Sequence, residues 1–413
     1  MAWLGTWRYR FKADIDYTNK IGASVTQFPL TIFIKSSSGV NGKDLTAVFN
    51  EVGSNYQKIA VTKSDGTTQL YVEVEQWDAT NKIAVLHVSK SDWTISANDY
   101  VYLYFDNSQP NNTTYVGTIG SSAGQQVWDS SFKAVHHLVD DTTSSVKDST
   151  TNANNGTKYA ANEPVQINGK VGKAQSFDGI NDYITLGSQS SLAMTSMTIA
   201  ALVSLTNVST VWRTILDHNR SGSNWYGLFK SGNYTSFHFR WANADPSGTI
   251  DFTGSISANT WYYVVGTFDS SSTQAKAFLN GVLNTSKTGT VPTALAGTAT
   301  IGMDNSYGEY FPGSIDEIRI SNIARSANWI QAEYYSLFDN LLTWGNIDQG
   351  TVAYSTLALT SNFEATSKST LALTSLLEKV SKNTLALTSK FAKSIWTEEP
   401  KHTSIWTKEN LHT

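Results

Sequence analysis

The chain has 413 residues and no cysteine. Disulfide staples, thiolate metal sites and cysteine nucleophiles are therefore excluded. Stability must come from buried cores, which a chain of this length can build in two or three domains. The absence suits assembly in a reducing cytoplasm, and it suits many bacterial surface proteins equally well. Charge is also scarce, at 15% of residues with a net charge of −4. That excludes a strongly basic nucleic-acid binder and an acidic disordered chain. No run of about 18 apolar residues occurs, so no membrane-spanning helix is expected. The opening MAWLGTWRYRFKADIDY lacks the apolar run and small-residue cleavage site of a signal peptide. Either a leader has been removed or the protein reaches its destination outside the general secretion route.

Aromatic residues are abundant, with 13 Trp, 19 Tyr and 17 Phe among many Ser, Thr, Asn and Gly. This composition predicts an all-β protein of strands joined by polar turns. Residues 1–115 alternate β-rich runs such as FPLTIFIK and DYVYLYFDN with turn chemistry such as SDGTTQ. In QLYVEVEQW, Leu70, Val72 and Val74 share one parity, and Tyr71, Glu73 and Glu75 the other, as in a half-buried strand. Residues 116–127, rich in Gly and Ser, read as a linker. Residues 128–338 hold many short strands at regular spacing, which predicts a second β-sandwich. The one short helix is expected at RSANWIQAEYYSLFDN, with Ser326 as N-cap and Trp329, Ile330, Glu333 and Tyr334 at helical spacing. Residues 339–354 read as a connector, and 355–413 as an extended repetitive tail.

Two stretches resemble known families. WRYRFKADIDYTNK, VEVEQW and DYVYLYFDN, within residues 3–107, resemble the domain of unknown function 2341 family. SFDGINDYITL, TWYYVVGTFD, FLNGV and GSIDEIRIS, within about 128–335, are similar to laminin-G and concanavalin A-like jelly rolls. The second resemblance implies a lectin-like sandwich that binds glycans or proteins. It also implies a structural calcium held by Asp178 and Asp316, since Ca2+ takes carboxylate and carbonyl oxygens. The competing reading of Asp178 is an Asx turn.

In FHFRWAN, Phe237, Phe239 and Trp241 share a face, and His238 and Arg240 the other. The loops 217–227 and 303–313 add Asn219, Arg220, Trp225, Tyr307 and Tyr310 at the rim. Sugars stack on aromatic rings and hydrogen-bond to Asn and Arg, so these seven residues form the expected glycan-binding set. Any one such Trp taken singly is more often core than platform. Catalysis is not expected. Glycanases on the resembling jelly roll use an E-x-D-x-x-E strand, and no such hexapeptide occurs.

The tail repeats STLALTS units and ends on SIWTEEPKHT and SIWTKENLHT. Leu357 and Leu359 alternate with Thr356, Ala358 and Thr360, as in a strand added to another sheet's edge. A coiled-coil seam through Leu359, Phe363, Thr366, Thr370, Leu373, Leu377 and Val380 competes, but it is rich in Thr, and Ser and Thr are poor helix formers. A disordered solubilising tail is the third reading. Trp396 and Trp406 are single aromatic anchors, and their repetition favours docking by avidity. These units resemble tails of structural proteins from bacterial viruses. The sequence thus predicts a non-enzymatic virion surface protein that binds cell-surface glycans or proteins and assembles through its tail. A secreted or cell-surface adhesin is the alternative, and a glycan hydrolase a third.

Overall fold

A computed structural model describes residues 2–159, 163–220, 225–242, 247–304 and 306–350. These residues build an all-β body of two sandwiches with a helix, Ala327–Leu337, packed between them. Three further helices have four to six residues each. No helix among the described residues is long and apolar enough to cross a membrane.

The first sandwich is an eight-stranded sheet folded around its own core. Its strands alternate at period two. Phe11, Ala13 and Ile15, then Leu30, Ile32 and Ile34, then Leu70, Val72 and Val74 all point into that core. Residues 116–127 are not a loose linker. Val116–Thr118 pairs in parallel with Gln69–Asp78, and Ser121 caps the helical turn Ser122–Gln125 through the Gly124 amide. The segment 339–354 carries a strand as well. Leu342–Gln349 pairs antiparallel with Tyr9–Ile15 and sends Leu342 and Trp344 into the first core. The first domain is therefore discontinuous in sequence, closed by residues that follow the second.

The second sandwich holds one core between an eight-stranded and a nine-stranded sheet. The nine-stranded sheet runs 140–142, 145–146, 156–158, 184–188, 298–301, 213–218, 226–230, 237–240, 249–251. Leu216, Leu228, Phe237 and Phe239 face inward, and Trp241 follows them into the core. Thus the inward set read from FHFRW is the core set.

The outer face of the eight-stranded sheet is covered. Ala200, Leu202, Tyr263, Val265 and Phe278 pack on Phe33 and Val85 of the first sandwich. The helix seals the seam. Ser326 accepts the Trp329 amide at its N-terminus, Trp329 and Ala332 enter the first core, and Ile330 and Leu337 enter the seam. Glu73 and Glu75, predicted on a solvent face, lie in this seam and are buried.

His218 sits in the second core, stacked on Tyr226 at 4.4 Å and 11°. Burial pulls its imidazole down to about 4. The stability tied to this group is present in full above its unfolded value near 6.5. It is lost as pH falls from there through about 4, because the unfolded chain takes up the proton first. The loss is on the order of 3 kcal/mol. His218→Phe retains the stack and removes the proton site. In urea titrations from pH 7 to 4, the variant is expected to show the shallower decline. Parallel curves for the two proteins would contradict this.

Candidate functional site

Among the described residues, the apolar core shared by the two sandwiches draws on the eight-stranded sheet and not on the nine-stranded one. Inward residues alternate with outward ones, so Phe229, His238 and Arg240 point out where Leu228, Phe237 and Phe239 point in. Register opposes Phe229 to His238 and Gly227 to Arg240. Three segments rise around this floor. Trp212 comes just before Arg213–His218, Arg220 shortly after it, Trp225 just before Tyr226–Lys230, and Asp304, Tyr307 and Glu309 lie ahead of Pro312–Ser321.

Together they enclose a shallow cleft of about 40 Å3 lined by Trp212, Arg220, Trp225, Phe229, His238 and Arg240. The guanidinium of Arg240 lies 4.1 Å from the Trp225 ring centre, and that of Arg220 lies 4.9 Å from it. Arg220 also lies 4.5 Å from the ring of Tyr307, which is 73% exposed. These are cation–π distances, which hold the side chains in place before any ligand arrives. Arg220 is fixed further by Glu309 at 2.6 Å and Asp304 at 3.4 Å. Burial pushes the Glu309 carboxyl up, against the pull of Arg220. Asp304 braces the loop, its carboxylate accepting the amides of Ser306, Tyr307 and Glu309.

On the floor, His238 donates through Nδ1 to the Asp251 carboxylate at 2.9 Å, and the Trp212 and His238 rings meet edge to face at 5.0 Å. The hydrogen bond from His238 holds the Asp251 carboxyl below its usual range.

Of the seven residues expected to bind glycan, the structure brings five together: Arg220, Trp225, His238, Arg240 and Tyr307. His238 lies on the strand floor and is buried. Asn219 turns the chain in the left-handed region at φ 63, its amide donating to Thr298. Tyr310 contributes its carbonyl to Arg213 and does not line the cleft. Trp212 and Phe229 were not singled out in the sequence. The opposition of Phe229 to His238 depends on a register that no local pattern fixes.

The expected calcium ligands do not converge. Asp178 opposes Pro312 across the sheet, which leaves Asp316 four positions further along, roughly 13 Å away. Asp178 accepts the Ile180 and Asn181 amides, the Asx turn that was the competing reading. Asp316 is buried and accepts the Val171 amide. These two residues do not fit one calcium site. The docking anchors Trp396 and Trp406, with the whole tail 355–413, lie outside the described residues.

Residues 177–331 match the family of the concanavalin A-like lectin/glucanases superfamily, the laminin-G type. The second sandwich is therefore a lectin-like jelly roll. Among solved structures, domain 4 of AbnA, an extracellular arabinanase from Geobacillus stearothermophilus in complex with arabinotriose, is 21% identical. The match covers 49% of this chain and 97% of that one, with a TM-score of 0.41. The binding domain of Paraclostridial Mosquitocidal Protein 1 is 12% identical over 50% of this chain and 52% of that one, with a TM-score of 0.41. The sialidase CBM40 of Ruminococcus gnavus, bound to α2,3-sialyllactose, is 16% identical over 34% and 83%, with a TM-score of 0.31. The chain thus spans about half of the toxin binding domain. No curated protein matches the sequence.

Proposed function

We propose that this is a non-enzymatic binding protein whose jelly roll engages cell-surface glycans or proteins through the outer face of its nine-stranded sheet. Its repetitive C-terminal segment docks it to the particle of a bacterial or archaeal virus. The first domain, of the domain of unknown function 2341 type, forms one body with the jelly roll and carries it. The observation that supports this reading best is the cleft in which Arg220, Trp225 and Arg240 converge beside exposed Tyr307. Guanidinium groups hydrogen-bond vicinal hydroxyls or carboxylates, and indole and phenol rings take the apolar face of a sugar.

Asp304 and Glu309 touch the same nitrogen of Arg220 and are close neighbours. Glycosidases need two carboxyls about 5–9 Å apart. Asp304, however, is fully buried and engaged by three amides and a guanidinium, which suits a brace rather than a nucleophile or base.

A glycan array tests the reading. The full chain is expected to bind a defined subset of glycans. Trp225→Ala and Arg240→Ala are each expected to weaken that binding about tenfold or more, with unchanged circular dichroism. Cleavage of the bound polysaccharide, or equal binding by both variants, would overturn it. For the tail, a chain ending at residue 354 is expected to keep its glycan profile and fail to join particles.

A further inference from the structure

The seam between the two sandwiches holds a cluster of buried ionisable groups that glycan binding does not use. Glu75 and His87 come from adjacent strands of the first sandwich. His137 follows the strand Phe132–His136, and Glu317 lies on Pro312–Ser321 of the second. One donor atom from each of the four lies within 4.8 Å of the other three, and all four residues are buried. His87 Nε2 is 2.8 Å from Glu75 Oε2 and 4.0 Å from Glu317 Oε1. His137 Nδ1 is 3.6 Å from Glu75 Oε2 and contacts Glu317 Oε1 directly. A tetrahedral ion with bonds of about 2.0–2.2 Å sets its donors roughly 3.4 Å apart, the middle of this range.

The outward nitrogens are held as metal-bound imidazoles require. His87 Nδ1 pairs with Thr31 Oγ1 at 3.2 Å, and His137 Nε2 with Glu73 Oε2 at 3.4 Å. Glu73 is itself fixed by Trp128 Nε1 at 2.5 Å. With these outer hydrogens donated, Nε2 of His87 and Nδ1 of His137 carry lone pairs into the cluster. Glu317 offers Oε1 inward while Arg319 Nε holds Oε2 at 2.9 Å.

The backbone is bent to present this carboxylate. Glu317 stands at φ 51 inside a strand, opposite the register shift between Ala200 and Leu202. The extra residue turns both Asp316 and Glu317 to the seam while Ile315, Ile318 and Ile320 stay in the core. Strained backbone of this kind marks positions held for a purpose.

Charge gives an independent argument. Among the described residues, the seam buries five carboxyls, those of Glu73, Glu75, Asp316, Glu317 and Glu333, with one guanidinium, Arg319, and the imidazoles of His87 and His137. Among the described residues, Glu75 Oε1 and Asp316 Oδ1 have no hydrogen-bond partner. Uncompensated buried charge is expensive, and a divalent cation relieves it. A cleft of about 240 Å3 that includes Glu75, Thr118 and Asp140 offers an entry path.

We propose that Glu75, His87, His137 and Glu317 form a structural site for a divalent transition ion of the zinc class, which ties the two sandwiches together. Two imidazole nitrogens select against calcium and magnesium, which take oxygen donors. Four protein ligands leave no open position, so the site is structural rather than catalytic.

The test uses the full chain expressed in zinc-supplemented medium. Elemental analysis is expected to find zinc equimolar with the chain, and cobalt(II) exchange to give the intense visible bands of a tetrahedral site. Dipicolinate should lower Tm and open residues 116–127 to protease. Zinc should reverse both effects, and calcium neither. His87→Ala and Glu317→Gln should abolish the cobalt bands. The proposal fails if the chain carries no zinc and shows the same Tm with and without chelator. It fails equally if metal and cobalt bands survive in both variants. The chelator arm needs no substitution, so a variant that does not fold leaves the test intact.

Discussion

Replacing Arg319 by alanine is expected to lower the unfolding free energy by about 3–5 kcal/mol, because it strands buried carboxylates without their cation. Arg319 donates through Nε to Glu317 at 2.9 Å and through Nη1 to Glu333 at 2.7 Å, and all three residues are buried. Glu333 also accepts from the Tyr263 hydroxyl, so the helix, the jelly roll and the seam share one network. Glu333→Gln in the Arg319→Ala background should recover part of the loss, since it removes one stranded charge. Costs in a shared network do not add. Urea unfolding of the wild type, Arg319→Ala, Glu333→Gln and the double variant measures the coupling. A loss below about 1 kcal/mol for Arg319→Ala would show that water reaches the seam and screens it.

The second large effect is expected at Trp241. Its side chain is fully buried, stacks on Phe268 at 5.4 Å and 12°, and donates through Nε1 to the Thr290 carbonyl at 3.0 Å. Trp241→Ala opens a cavity between the two sheets and should cost about 3–5 kcal/mol. Trp241→Phe retains a ring and should cost clearly less. Thermal unfolding followed by near-ultraviolet circular dichroism reads both. An alanine variant with wild-type Tm would place this tryptophan outside the cooperative core.

Sequence periodicity revealed the sandwiches because each strand buries one parity, as FHFRW and QLYVEV do. The N-cap at Ser326 was legible because capping is local chemistry, and its hydrogen bond to Trp329 is there. Contacts between distant segments were not legible. Glu73 and Glu75 read as solvent-facing because half-buried alternation says nothing of what covers the other face. The strand Leu342–Gln349 was read as connector, since pairing with Tyr9–Ile15 spans most of the chain. One signal was present and unused. In SIDEIRI the isoleucines are spaced three and then two, which a regular strand cannot place on one face. That spacing marks the bulge at Glu317. On the binding face, residue types were legible and positions only partly so. Arg220, Trp225, Arg240 and Tyr307 gather at the cleft, whereas Asn219 and Tyr310 serve the backbone.

The central claim, that ligand binds the outer face of the nine-stranded sheet, is tested most directly by hydrogen exchange. Amide exchange of the full chain would be compared with and without saturating amounts of a glycan identified on the array. Protection is expected in Tyr226–Lys230, Phe237–Arg240 and the 303–311 loop, with none at the seam. Protection confined to the first sandwich, or to the seam, would contradict the account.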